Sequence, residues 1–346
     1  MRLVRHFNGA DTGVILVWYK AQRDQTCRIR FDAVEGAPDS SNRPVQVRAS
    51  WVTPSQQAEN YHAAIDAARH AKTAVVFAWS RTHPVFELPG DQDKLIRDVA
   101  QANPNTIVVL NISQPIAMPW LSQVKAVLQM WWTGDKGGPA TTKLLLGKAI
   151  PGGRLPFTWP KRLEDTPDAD PAFPERSRNG VDGKTTFSEG ILVGYRWFYR
   201  RSIEPLFPLG FGLSYTTFTY SGIKSSAAAD GGFDVALNLS NTGSVTGDEV
   251  VQAYVEKPAC ITAGVQFADR ILAGLERNHL APGESKQAVI HIASRQLDYW
   301  SSTQDHWAVP VGDRIVWVGG SSRDRGLETH LFVKPMVTLL KHVPVE

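Results

Sequence analysis

Cysteine is scarce: Cys27 and Cys260 are the only two in 346 residues. Far apart in sequence, they make neither a disulfide framework nor a thiolate metal site. The nine histidines are scattered, without an HExxH run or Cys/His pairs at ligand spacing, so the sequence implies no metal and no cofactor. Charge of one sign is lacking too. Lys and Arg total 37 against 34 Asp and Glu, a net of +3 with no concentrated basic stripe, which argues against nucleic acid and anionic membrane as partners. The longest apolar run near the start, Val14–Tyr19, is far short of the ~20 residues a bilayer requires. The start Met1-Arg2-Leu3-Val4-Arg5-His6 is basic, but no apolar h-region or small-residue cleavage site follows it. No export signal is expected within these residues, and localisation stays open.

Common nucleotide and nucleophile motifs are missing as well. Gly134-Asp135-Lys136-Gly137-Gly138 lacks P-loop spacing, Gly319-Gly320-Ser321-Ser322 follows a strand but opens no helix, and no GxSxG elbow occurs.

What is present is an ordinary globular composition, 42% hydrophobic and 21% charged, long enough for two or three domains. Eleven tryptophans stand out. Indoles serve cores and also stack on apolar ligand faces, so the count alone is a hint.

Three segments emerge along the chain. In residues 1–53 short alternating runs at Gly13–Tyr19, Cys27–Ala33 and Pro44–Trp51 predict about three strands, too few to close a sandwich. Residues 54–221 alternate helix and strand. Gln56–Ala71 and Asp91–Ala102 carry helical periodicity, and Thr73–Trp79, Thr106–Asn111 and Val124–Trp132 are continuous apolar runs. Gly137–Gly147 reads as another helix. Continuous apolar strands interleaved with helices predict an α/β/α sandwich with a mostly parallel sheet covered on both faces. Residues 222–346 lose the helical period. Alternation at Phe233–Leu239, Glu249–Val255, Arg270–Leu275, Lys286–Ile292 and Arg314–Val318 predicts an immunoglobulin-like β-sandwich of about seven strands. The expected fold is therefore multidomain, α/β followed by all-β.

A string of motifs in fixed order adds specificity. It begins with Leu88-Pro89-Gly90-Asp91-Gln92-Asp93-Lys94-Leu95-Ile96, Asn103-Pro104-Asn105, Pro115-Ile116-Ala117-Met118-Pro119-Trp120 and Trp131-Trp132-Thr133-Gly134-Asp135-Lys136-Gly137-Gly138. It continues with Pro151-Gly152-Gly153-Arg154-Leu155-Pro156-Phe157-Thr158-Trp159-Pro160, Ser188-Glu189-Gly190-Ile191-Leu192-Val193-Gly194-Tyr195-Arg196 and Pro205-Leu206-Phe207-Pro208-Leu209-Gly210-Phe211-Gly212. Together these resemble the C-terminal α/β sandwich domain of glycoside hydrolase family 3, β-glucosidase type. Asn241-Thr242-Gly243, Gly247-Asp248-Glu249-Val250-Val251-Gln252, Leu280-Ala281-Pro282-Gly283-Glu284 and Val318-Gly319-Gly320-Ser321-Ser322-Arg323-Asp324 resemble the fibronectin type III-like domain that follows it in many members. Residues 1–53 are similar to the tail of a protective-antigen-type β-sandwich insertion; an edge extension of the α/β domain is the other reading.

The resemblance implies a retaining glycosidase, which works with two carboxyl groups about 5 Å apart. Family members carry the nucleophilic Asp on an N-terminal (β/α)8 barrel of ~250 residues, and the residues before Thr73 read instead as β-rich. The expectation is that these 346 residues lack the barrel and do not hydrolyse glycosides alone. Many members place the acid/base Glu in an E-G-x-D-R loop just before L-P-G. Here Trp79-Ser80-Arg81-Thr82-His83-Pro84-Val85-Phe86-Glu87 departs from that pattern, and Glu87 is the loop's carboxylate. It is either a displaced acid/base or an exposed charge suiting the N-terminus of the following helix. Trp79, Arg81 and His83, at the C-terminal end of a parallel strand where such sheets bind ligands, are candidate sugar contacts, with Trp132 and Asp135. Glu189 is either a rim acid or a turn residue. The implied substrate is a β-linked glucoside or oligosaccharide, and the implied partner a separate barrel domain or chain. The rival class is a non-catalytic carbohydrate-binding module working through exposed tryptophans.

Overall fold

The computed structural model describes residues 53–80, 86–260 and 264–334. The three strands expected in residues 1–53 lie outside the described residues. The chain divides between Asn60 and Tyr61 into two compact units. Of the first, the described part is the start of helix α1 (Pro54–His70), and the account below concerns the second.

The α/β region contains β1 (Ala74–Ser80), α2 (Gln92–Ala102), β2 (Thr106–Ile112), β3 (Ala126–Gln129), α3 (Gly137–Leu145) and the short helix α4 (Tyr195–Arg200). The three strands form a parallel sheet in the order β1-β2-β3, with Ala74 opposite Thr106 and Ile107 opposite Ala126. Strand periodicity sets the faces. Ala78, Val108, Leu110 and Ile112 pack with Ile96 of α2 and with Ile116, Trp120 and Trp159 from the loops. Ile65 and Ala68 of α1 pack with Ala74, Val76 and Val99 on this same face. Each fully buried aliphatic side chain there stabilises the fold by about 1.5–3 kcal/mol. On the opposite face of β1, Val75, Phe77 and Trp79 remain 40–49% exposed.

Three tryptophans are core residues, and each buried indole N–H has an acceptor, as burial requires. Trp120 donates to Asp93 Oδ1 at 2.6 Å, Trp159 to the Ile116 carbonyl at 2.8 Å, and Trp197 to the Asp165 carbonyl at 3.1 Å.

One strand is shorter than its apolar run. Val124–Trp132 predicts a long strand, but β3 ends at Gln129 because Trp131 adopts a left-handed backbone, φ 58°, which breaks the ladder. Bulky residues rarely occupy that region.

The β-sandwich comprises β4 (Phe218–Ala227), β5 (Phe233–Asn241), β6 (Gly247–Glu256), β7 (Arg270–Leu280), β8 (Ser285–Ile292), the hairpin β9 (Tyr299–Ser301) and β10 (His306–Ala308), β11 (Gly312–Gly319) and β12 (Leu327–Val333). Sheets ordered β12-β11-β6-β7 and β4-β5-β8 face each other. Alternate residues Val235, Leu237 and Leu239 of β5 meet Val251, Ala253 and Val255 of β6, with Ile290, Val316 and Leu331. The first strand begins at Phe218, before the segment break at Gly222 drawn from the sequence. The turn Asn241-Thr242-Gly243 is explained by Asn241, whose Nδ2 donates to the Val245 and Leu280 carbonyls. Its Oδ1 accepts from Thr216 Oγ1 and the Gly243 N–H.

The seam between the two regions is polar and closely fitted. Arg154 pairs with Glu249 at 2.8 Å, and Tyr220 donates to the same carboxylate at 2.9 Å. Burial first, then the Glu249 charge, pushes the Tyr220 phenol far above its usual range. Tyr195 Oη accepts from the Leu272 N–H at 2.7 Å, and Arg323 donates to the Ile203 carbonyl at 2.7 Å. Gly210, at φ 85°, lies so close to the Gln252 side chain that a Cβ would clash at 2.2 Å.

Candidate functional site

Parallel sheets offer ligand sites at the carboxyl ends of their strands. In this sheet that edge collects Trp79 and Ser80 from β1 and the residues following β3. Trp79 presents its indole on the sheet face away from α1 and α2, 49% exposed. The left-handed backbone at Trp131 turns that ring inward, edge-on to Phe157 at 5.6 Å. The next residue, Trp132, then points outward and is 64% exposed, although its Nε1 reaches back to the Ser80 carbonyl at 3.4 Å. A non-glycine residue held at positive φ stores backbone strain of the kind that clusters at functional edges. Here its effect is visible: it separates one half-buried indole from one solvent-facing indole.

Asp135 occupies the single 3-10 turn Gly134–Lys136 that follows Trp132, and its side chain is exposed. Glu87 is exposed beside buried Leu88. Neither carboxylate has a hydrogen-bonded or ionic side-chain partner among the described residues. Asp93, not Glu87, is the acid in the first turn of α2, and it is engaged by Trp120. Arg81 and His83 lie outside the described residues.

Glu189 sits elsewhere. It is buried at 8% exposure, 3.6 Å from Arg176 Nε, and the Arg176 guanidinium stacks on Phe173 at 3.7 Å. This places Glu189 in a buried ionic cluster and not at the sheet edge with Trp79 and Trp132.

Sequence motifs contained one further site residue without assigning it work. Gln92 bridges the end of β1 through its carboxamide: Oε1 accepts from the Trp79 N–H at 2.8 Å, and Nε2 donates to the Trp79 and Pro89 carbonyls, each at 2.9 Å. The signal was the glutamine in the Leu88–Ile96 motif; its partner could not be read from spacing.

The residues at and after these strand ends therefore present two exposed indoles, Trp79 and Trp132, and the exposed carboxylate of Asp135; an indole face is a surface on which apolar ring faces stack. Among the described residues no group of His, Cys, Asp and Glu is arranged to hold a metal, and no helix is long and apolar enough to cross a membrane.

Comparison with known proteins agrees with this architecture. Residues 9–195 match the glycosyl hydrolase family 3 C-terminal domain, and residues 249–322 match the fibronectin type III-like domain. Beta-glucosidase B of Emericella nidulans is 37% identical over 278 residues, covering 75% of this chain and 32% of that relative. A beta-glucosidase of Rhizobium radiobacter is 41% identical over 246 residues, covering 70% of this chain and 29% of its own length. Among solved structures, the beta-glucosidase DesR from Streptomyces venezuelae, in complex with D-glucose, superposes with a TM-score of 0.77 at 41% identity. The match covers 82% of this chain and 36% of that one. The chain thus spans about a third of the length of these relatives. With the motifs, the fold and the matched residues in agreement, the chain belongs to glycoside hydrolase family 3, as its C-terminal domain with the fibronectin type III-like domain.

Proposed function

We propose that this chain supplies the C-terminal domains of a β-glucosidase-type retaining hydrolase, with the carboxyl edge of the parallel sheet bordering the sugar site. The observation that carries this reading is the pair of outward indoles, Trp79 and Trp132, the second reaching the carbonyl of Ser80, the residue after Trp79, in a chain whose named relatives are beta-glucosidases. The substrate class is a β-linked glucoside or oligosaccharide. Trp79 and Trp132 contact the sugar, with Asp135 at the rim.

Retention requires a nucleophile and an acid/base carboxyl about 5 Å apart. The described residues hold a three-stranded parallel sheet, so the nucleophile in this reading comes from a (β/α)8 barrel, as a further domain or a separate chain. Glu87, exposed and without a side-chain partner among the described residues, is the acid/base candidate this edge offers, with Arg81 and His83 from the adjacent loop as further sugar contacts.

The test is turnover of an aryl β-glucoside by residues 1–346, alone and mixed with a family 3 barrel domain. No turnover alone and turnover in the mixture is the expected result. Hydrolysis by these residues alone would overturn the requirement for an outside nucleophile. The exposed indoles also support a second reading, a non-catalytic carbohydrate-binding module. Glucose binding with no gain of turnover in the mixture would select it.

A further inference from the structure

The outer edge of β1 carries an unusual pairing. In a strand, the N–H and C=O of one residue point to the same edge. Trp79 is paired with Asn111 of β2 by register, yet its own N–H and C=O are both taken by the Gln92 side chain, at 2.8 and 2.9 Å. A carboxamide is the side-chain group that matches a peptide unit, offering one acceptor and two donors in one plane. An ionised carboxylate has no donor and an ammonium has no acceptor. The second amide proton of Gln92 goes to the Pro89 carbonyl at 2.9 Å. One side chain thus joins the residue where the chain leaves the sheet to the residue where it turns into α2. Opposite it, Trp132 holds the Ser80 carbonyl at 3.4 Å.

We propose that Gln92 is a positioning residue: its carboxamide substitutes for a neighbouring strand at Trp79 and ties Trp79 to Pro89, fixing the indole and the chain direction at the candidate sugar edge. This rests on the sugar-site reading above. The physical consequence of losing it is specific. Side chains alternate faces along a strand, so a one-residue slip at the strand end would turn Trp79 to the other face of the sheet. Two hydrogen bonds from Gln92 lock the register at that residue, and the third prevents the Pro89 turn from carrying it away. A role confined to stabilising the start of α2 would not require the bonds to Trp79.

The experiment uses the full chain with Gln92→Leu and Gln92→Glu, reading amide hydrogen exchange at Trp79 and quenching of tryptophan fluorescence by glucose and cellobiose. Expected for Gln92→Leu is exchange at Trp79 faster by about tenfold, unchanged exchange at Val108 and Leu110, and sugar affinity weaker by about tenfold. Gln92→Glu keeps the acceptor and regains a donor only when protonated, so its defect shrinks as pH falls from ~7 to ~4. Unchanged exchange at Trp79 overturns the staple. Faster exchange with unchanged sugar affinity overturns the positioning role and leaves a structural one. If the unsubstituted chain gives no sugar response, the sugar-site reading falls and the positioning role with it. Exchange at Trp79 still decides whether the carboxamide holds the strand.

Discussion

Arg154 Nη2 lies 2.8 Å from Glu249 Oε2, with the two side chains 8% and 9% exposed. The arginine belongs to the Pro-Gly-Gly-Arg loop of the α/β region and the glutamate to β6 of the sandwich, 95 residues away. A buried pair gives little net stability over an apolar substitute, but breaking it strands a charge. Glu249→Leu and Arg154→Met should each destabilise the chain by about 3–5 kcal/mol. The double variant Arg154→Met/Glu249→Leu should cost less than the sum of the singles, because neither charge is left alone. Urea denaturation of the four proteins measures this, and additive losses would show that the two residues do not act as a pair.

Asn241 satisfies all four of its polar contacts within the sandwich at 1% exposure. Replacing it with Ala leaves the Leu280 and Val245 carbonyls and the Gly243 N–H without that partner. A loss of about 2–4 kcal/mol follows from several buried groups losing a hydrogen bond together. A midpoint in urea within error of the unsubstituted protein would refute the account of this turn.

At the sheet edge, Trp79→Ala and Trp132→Ala remove solvent-facing rings and little core. Each should lower glucose affinity by about tenfold, equivalent to ~1.4 kcal/mol. Truncating exposed groups away from the core moves stability by only about 0.5 kcal/mol. Trp120→Ala gives the opposite pattern, a loss of about 3–5 kcal/mol from a buried aromatic. Fluorescence titration beside thermal melts separates the two classes, and equal sugar affinity in all variants would remove the edge from consideration.

The pH dependence of stability has a defined sign at Asp248. Arg277 hydrogen-bonds it and, against the opposing effect of partial burial, His279 at 2.6 Å adds to hold its carboxyl below the usual 3.8. A group depressed on folding contributes stability present above its unfolded pKa and lost as pH falls through the folded value. Asp248→Asn should therefore be less stable than the parent at neutral pH, with the gap closing below about pH 4. Denaturation midpoints at several pH values test this; a gap that widens on acidification would contradict it.

His291 behaves in the reverse sense. The Asp234 carboxylate at 2.8 Å, then Asp230 at 3.2 Å, outweigh desolvation and raise its pKa above 6.5. Its contribution is complete below the unfolded pKa and disappears as pH rises through the folded value. His291→Asn should lose stability at acidic pH and match the parent in mild alkali, which the same pH series would reveal. An NMR titration placing the His291 pKa below 6.5 would refute the assignment.

The sequence alone determined the elements whose cause is local. Continuous apolar runs gave β1 and β2, and alternation located β5, β6 and β8, because strand burial repeats every two residues. The order of motifs identified the family. Tertiary structure decided what those motifs are for. Trp120, Trp159 and Trp197 went inside while Trp79 and Trp132 stayed out, since burial depends on what packs above each ring. The short helix α4 and the early start of β4 at Phe218 lie in an aromatic, Gly/Pro-rich stretch with no clean period to read. Arg154, Tyr195, Gly210, Glu249, Gln252 and Arg323 carry conspicuous motifs, yet they meet along one seam between the two regions. Gln92 likewise sat within a legible motif, and its grip on Trp79 appears only when the strand end and helix start are brought together. Hydrogen bonds and ion pairs between side chains distant in sequence leave no periodic trace, so only the folded chain reveals them.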